Sequence, residues 1–170
     1  MTAELQLTGH RDQLFSEAIR QKLDSWISKY PPGQYQSAVI QALHILQDAH
    51  EGWLSEGVMR ALAEYLDIPV ISVFEVATFY TMFELKPVGQ HKISLCTNIS
   101  CQLCGSEDIA RHIQKKLGVG FGQTTADGKF TLKEVECLGA CVGAPMLLLD
   151  RDYHEHLTVE KIDTLLDGVK

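Results

Sequence analysis

Four cysteines stand in two pairs within Ile93–Met146: Cys96 and Cys101 with four residues between, then Cys137 and Cys141 with three. A fifth, Cys104, follows the first pair. Thiolates are soft anionic ligands, and four of them complete tetrahedral sites at two sulfide-bridged irons. The grouping therefore points to a [2Fe–2S] cluster. Two other chemistries use the same residues. A structural zinc ion takes four cysteines, though zinc ribbons show tighter C-x-x-C knuckles. Cys101-Gln-Leu-Cys104 has the spacing of a thioredoxin-type redox pair, which leaves Cys96, Cys137 and Cys141 without a role. Five unrelated buried thiols account poorly for the clustering. Gly105, Gly139, Ala140, Gly143 and Ala144 flank the cysteines. Small residues there let backbone approach a cluster and leave N–H groups free to bond its sulfurs.

Composition narrows the setting. The chain has 170 residues, 45% hydrophobic and 22% charged, with a net charge of −7. That suits one full domain or two small ones. An acidic chain without a Lys/Arg cluster lacks the basic face that nucleic acid requires. No apolar run reaches the roughly 18 residues of a membrane span. Met1–Arg11 is polar and has neither signal-peptide nor transit-peptide character. The expectation is a cytoplasmic protein with no direct membrane insertion, in a compartment where clustered thiols stay reduced.

The cysteines need a scaffold, and the periodicity predicts one in two parts. Leu14, Ala18, Leu23, Trp26 and Ile27 share a helical face that ends at Pro31-Pro32-Gly33. A second helix is expected over 37–50, with Ala38, Ala42, Leu43 and Leu46 inward, and a third over 56–66 behind an N-cap at Ser55. A fourth segment starts at Ile68-Pro69, with Ser72-Val-Phe-Glu75 as its capping box. Four short helices imply a small bundle. Beyond Pro87-Val-Gly89 the pattern alternates: strands are expected at 91–96, 130–136 and 146–149, and helices at 106–117 and 158–166. Asp127-Gly128 reads as a turn, and both cysteine pairs begin at strand ends. The fold class is α+β: a helical bundle over 1–86, then a small α/β domain over 87–170.

Other motifs carry less. Gly118-Val-Gly-Phe-Gly122 lacks G-x-G-x-x-G spacing and follows a helix, so it reads as a loop. His154-Glu-His156 reads as an exposed turn rather than a metal site, and His44 and His50 as structural or surface residues on a helix. The aromatic run Phe74–Phe83 has two readings: packing between the two halves of the chain, or a face for a partner protein.

Several runs together resemble one family. They are Val76-Ala-Thr-Phe-Tyr-Thr-Met-Phe83, Lys86-Pro-Val-Gly89, Leu95-Cys-Thr-Asn-Ile-Ser-Cys101, Thr124-Thr-Ala-Asp-Gly-Lys-Phe-Thr-Leu132 and Glu136-Cys-Leu-Gly-Ala-Cys-Val-Gly-Ala-Pro-Met146. In that order they resemble the family of E-type subunits of bacterial NADH-quinone oxidoreductases (respiratory complex I). The resemblance implies a thioredoxin-like [2Fe–2S] domain behind a helical bundle, with Cys96, Cys101, Cys137 and Cys141 as cluster ligands. It implies one electron accepted from FMN, with FMN and NADH bound by a partner subunit and not by this chain. It also implies docking on that subunit and on the larger iron–sulfur subunit assembly, peripheral to the inner membrane. Cys104 departs from the pattern, where the family often carries arginine, and is expected to be a bystander. Related subunits serve NAD-linked hydrogenases and formate dehydrogenases. A stand-alone thioredoxin-like ferredoxin or a thiol–disulfide exchanger is the reading from a different class. No residue is suited to bind NADH or to do acid/base chemistry, so no dehydrogenase activity is expected of the chain alone.

Overall fold

The computed structural model describes residues 14–169, and the polar stretch Met1–Arg11 lies outside them. The chain forms two compact units, divided between Pro87 and Val88.

The first unit is helical. Ser16 caps α1 (Glu17–Ile27), its Oγ accepting from the Ile19 amide at 3.4 Å. A 3₁₀ turn at Tyr35–Ala38 runs into α2 (Val39–Ala49). Ser55 caps α3 (Glu56–Tyr65) as expected, accepting from the Val58 amide at 3.3 Å. The last helix, α4, spans Val70–Phe79. Leu23, Leu43, Leu46, Leu62 and Val73 lose all solvent exposure in a shared core. Each such side chain contributes about 1.5–3 kcal/mol by burial.

Two local expectations fail here. Ser72 does not cap α4: the helix begins after Pro69, whose side chain makes no cap, and Ser72 lies inside the first turn with its N–H on the Pro69 carbonyl at 3.0 Å. Proline's fixed φ and missing donor suit helix entry, so the start moves upstream of the serine. Ala18 is exposed rather than inward, because the face of α1 that packs on the core carries Ile19, Leu23 and Ile27 instead. The inner place goes to Phe15, ahead of the cap, which meets Tyr65 edge-on at 5.8 Å between ring centroids.

The second unit is a five-stranded sheet in the order β2-β3-β1-β4-β5, where β2 is Gln123–Thr124, β3 Phe130–Val135, β1 His91–Cys96, β4 Leu147–Leu149 and β5 Asp152–His154. Strands β1 and β3 are parallel, from His91↔Phe130 to Cys96↔Val135. A parallel pair needs a crossover, and it contains α5 (Ile99–Leu103) and α6 (Ser106–Leu117). Strand β4 runs antiparallel to β1, and α7 (Val159–Gly168) follows β5. Ile93, Leu95, Ile113, Leu132, Leu147 and Ile162 have no exposed surface. Two strands and one helix exceed the sequence expectation. β2 and β5 have two and three residues, too few to show a period, and α5 has five.

Candidate functional site

The parallel register decides where the cysteines lie. Cys96 is the last residue of β1 and pairs with Val135, the last residue of β3. Both strands end at the same edge of the sheet, so the loops after them emerge side by side. Cys96 is 2% exposed, and its N–H donates to the Met146 carbonyl at 3.2 Å. Its thiol donates to the Glu136 carbonyl at 3.5 Å, linking the first cysteine to the residue before the third.

The first loop is a short helix. Asn98 caps α5, its Oδ1 accepting from the Ile99 amide at 2.8 Å. That turns Cys101 inward, to 1% exposure. Cys104 follows at the C-cap of the same helix and is exposed. The two members of the C-x-x-C therefore stand in opposite environments.

The second loop is open. Cys137 and Cys141 are exposed, and a 3₁₀ turn covers Cys141–Gly143. Gly139 takes φ +79°, a left-handed conformation that glycine adopts without strain, and its N–H donates to Cys137 Sγ at 3.4 Å. Met146, 1% exposed, forms a small apolar floor with Cys96 and Cys101, against which Leu138, Ala140 and Ala144 pack.

Burial pushes the Cys101 thiol up to about 11, helped by its hydrogen bond with Cys96 and by the neighbouring Cys96 and Cys141 groups; the Met146 backbone opposes the shift. Cys96, Cys101 and Cys141 are thus electrostatic neighbours, and Cys137 shares a five-residue stretch with Cys141. All five cysteines are free thiols. Among the described residues, no three His, Cys, Asp or Glu side chains gather in a way that could hold a single metal ion.

The donor set suits a [2Fe–2S] cluster. It offers four thiols from two adjacent loops, two per loop, as two irons with two thiolates each require. Ionising several thiols beside one another is costly without a compensating positive charge, and ferric iron supplies that charge. The small flanking residues leave room, and one backbone N–H already points at a sulfur. Cys104, on the outward side of α5, adds nothing to this group.

Three features of the site are not among the sequence-based expectations. The Asn98 cap had a signal, since Asn is among the preferred N-cap residues. The buried floor at Met146 and the hydrogen bond from Tyr153 Oη to the Leu138 carbonyl, 2.8 Å, had none.

Comparison with known proteins agrees with this fold. The family model described as thioredoxin-like [2Fe–2S] ferredoxin matches residues 23–170. A curated relative from Rickettsia felis, named as the E subunit of NADH-quinone oxidoreductase, is 47% identical over 141 residues, covering 83% of this chain and 84% of the relative. A relative from Rhizobium meliloti, named as an E subunit of the same oxidoreductase and numbered 2, is 41% identical over 152 residues, 89% of each chain. A crystal structure of an NAD+-reducing [NiFe]-hydrogenase in the H2-reduced state superposes with a TM-score of 0.66 at 22% identity. That match covers 76% of this chain and 22% of the hydrogenase chain, and it shows the fold.

Proposed function

Since the chain belongs to the thioredoxin-like [2Fe–2S] ferredoxin family, we propose that it is the electron-transfer subunit of an NADH:quinone oxidoreductase. The observation that carries the reading is the convergence of two cysteine loops at one sheet edge, in a chain whose relatives are named as a subunit of that oxidoreductase. Cys96, Cys101, Cys137 and Cys141 are the ligands in this reading. A [2Fe–2S] cluster held by them supplies a one-electron acceptor and donor. Cys96 and Cys101 keep water from the inner side, together with Met146. Cys137 and Cys141 lie on the open side, where an electron enters or leaves. Gly139 N–H stabilises negative charge on Cys137 Sγ.

In this reading the donor is FMN, bound with NADH on a partner subunit. The chain docks on that subunit and on the larger iron–sulfur assembly, and it reaches the inner membrane from the cytoplasm through them. No described helix is long and apolar enough to cross a membrane. The division of labour follows the proposed domains: 87–170 holds the cluster, and 1–86 selects the partner. The hydrogenase likeness favours a second reading, the equivalent diaphorase subunit of an NAD-linked hydrogenase or formate dehydrogenase.

Affinity purification of the intact chain, with metal analysis and partner identification, tests both. The expected result is two irons and two labile sulfides per chain, together with a flavoprotein that oxidises NADH. A colourless chain with zinc and no labile sulfide overturns the cluster. A hydrogenase or formate dehydrogenase component in the complex selects the second reading.

A further inference from the structure

The second cysteine loop is strapped at both ends by one segment, 153–156. Tyr153 lies on β5, paired with Leu148 of β4, so its backbone is fixed by the sheet. Its hydroxyl donates to the Leu138 carbonyl at 2.8 Å. At the other end the His156 N–H donates to the Gly143 carbonyl at 2.7 Å, and the Glu155 side chain fills the space a Cβ would take at Gly143.

The Tyr153 contact falls on one particular peptide unit. The Leu138 carbonyl and the Gly139 N–H belong to the same plane, and in a trans peptide they point in opposite directions. One end is held by Tyr153, and the other donates to Cys137 Sγ at 3.4 Å. Leu138 packs on the Cys96, Cys101 and Met146 floor, but the Gly139 side of the plane is open: a Cβ built there would meet no heavy atom within 4 Å. Glycine also rotates more freely than other residues. The phenol is a hydrogen-bond partner on the opposite end of the plane from the N–H, and so bears on the direction of that N–H.

We propose that Tyr153 is a positioning residue for the cluster, which holds the Leu138–Gly139 peptide so that its N–H stays on Cys137 Sγ. The proposal rests on Cys137 being a ligand, as in the reading above. The sign follows from charge. Reduction adds one negative charge to the cluster and its thiolates. A hydrogen bond to a ligand sulfur stabilises the reduced form more and raises the potential. Releasing the peptide removes that preference and loosens one ligand.

The test uses the full chain, reconstituted anaerobically with iron and sulfide, as wild type, Tyr153→Phe and Tyr153→Leu. Tyr153 is 55% exposed, so neither change opens the core. Both variants are expected to bind two irons and two labile sulfides, with the one-electron equilibrium shifted about three- to tenfold toward the oxidised form; tenfold is about 59 mV. Both should also release iron to a chelator faster than wild type. Phe and Leu should behave alike, because the hydroxyl and not the ring is the active group. A Phe variant with the wild-type potential and release rate overturns the proposal, whether or not Leu shifts, and leaves the cluster reading standing. If a variant is too labile for potentiometry, the release rate decides by the same criterion. Wild-type protein that binds no iron and sulfide overturns the cluster reading itself.

Discussion

Gln47 Oε1 accepts the backbone N–H of Glu84 at 2.7 Å. Through Nε2 the same side chain donates to the Met82 carbonyl at 3.2 Å. Gln47 is 8% exposed on α2, and no regular element contains residues 82–84. Backbone groups outside helices and strands still need partners, and here one side-chain amide serves two in part-buried bonds. Its orientation follows from the partners, since a backbone N–H only donates and a carbonyl only accepts.

Replacing Gln47 with Ala leaves both backbone groups short of a partner and should destabilise the helical unit by about 2–3 kcal/mol. Gln47→Glu keeps the acceptor but turns a carboxylate oxygen toward the Met82 carbonyl, so it should also destabilise at neutral pH. Chemical denaturation should show a lower midpoint at unchanged slope for both. A midpoint equal to wild type for Gln47→Ala would count against the clamp.

Gly89 enters the second unit under steric constraint. Its N–H donates to Thr131 Oγ1 at 2.6 Å, and a Cβ there would lie 2.9–3.0 Å from backbone atoms of Gly128, Lys129 and Phe130. The obstacle is backbone at the start of β3, which cannot rotate away. Gly89→Ala should cost about 1–3 kcal/mol. Gly33→Ala, with a left-handed φ but no atom within 4 Å, should cost only its backbone strain of about 1 kcal/mol. Thermal unfolding of the two variants against wild type checks the order.

The pairing of α6 with α7 carries a pH dependence. The hydrogen bond from Lys116, and then that from His112, hold the Asp163 carboxyl below its ordinary value of 3.8. A depressed carboxylate contributes stability that is present above the unfolded pKa and lost as pH falls through the folded one. The melting-temperature gap between wild type and Asp163→Asn should therefore be open at about pH 5 and close on acidification below about pH 3.8. A gap that persists at lower pH would show that the asparagine acts through packing instead.

Cys104→Ser should keep the visible absorption of the cluster and the electron paramagnetic resonance signal of its reduced form. Cys104 is exposed at the C-cap of α5, outside the buried group of Cys96, Cys101 and Met146. Cys101→Ser should abolish or alter both signals, because a serine oxygen is a harder ligand than thiolate. Loss of both signals in Cys104→Ser would assign the ligands differently.

Much of this architecture was legible in the residues. Ser55 marked the start of α3, and the alternation of His91–Cys96 and Phe130–Val135 marked the two parallel strands. The flanking motifs pointed to the family that the comparisons show. The short pieces were not legible. α5 spans little more than one turn, and β2 and β5 form by pairing with longer neighbours rather than by their own pattern. Ser72 misled because a capping signature is local, whereas Pro69 upstream had already set the helix start. Gln47 and Tyr153 act across 37 and 15 residues, and no periodicity encodes such a bond.

The parallel pairing of β1 with β3 also bears on how the chain is made. The partners are roughly forty residues apart along the chain, from His91↔Phe130 to Cys96↔Val135. At about 5–20 residues per second of synthesis, Cys96 and Cys101 leave the ribosome some 2–8 s before Cys137 and Cys141. During that interval the nascent chain shows three thiols, Cys96, Cys101 and Cys104, and a β1 strand without its β3 partner. With the proposed ligands Cys96, Cys101, Cys137 and Cys141, iron delivered then would meet half a site, and cluster insertion would have to wait for the non-local β1–β3 pairing to bring the two loops together.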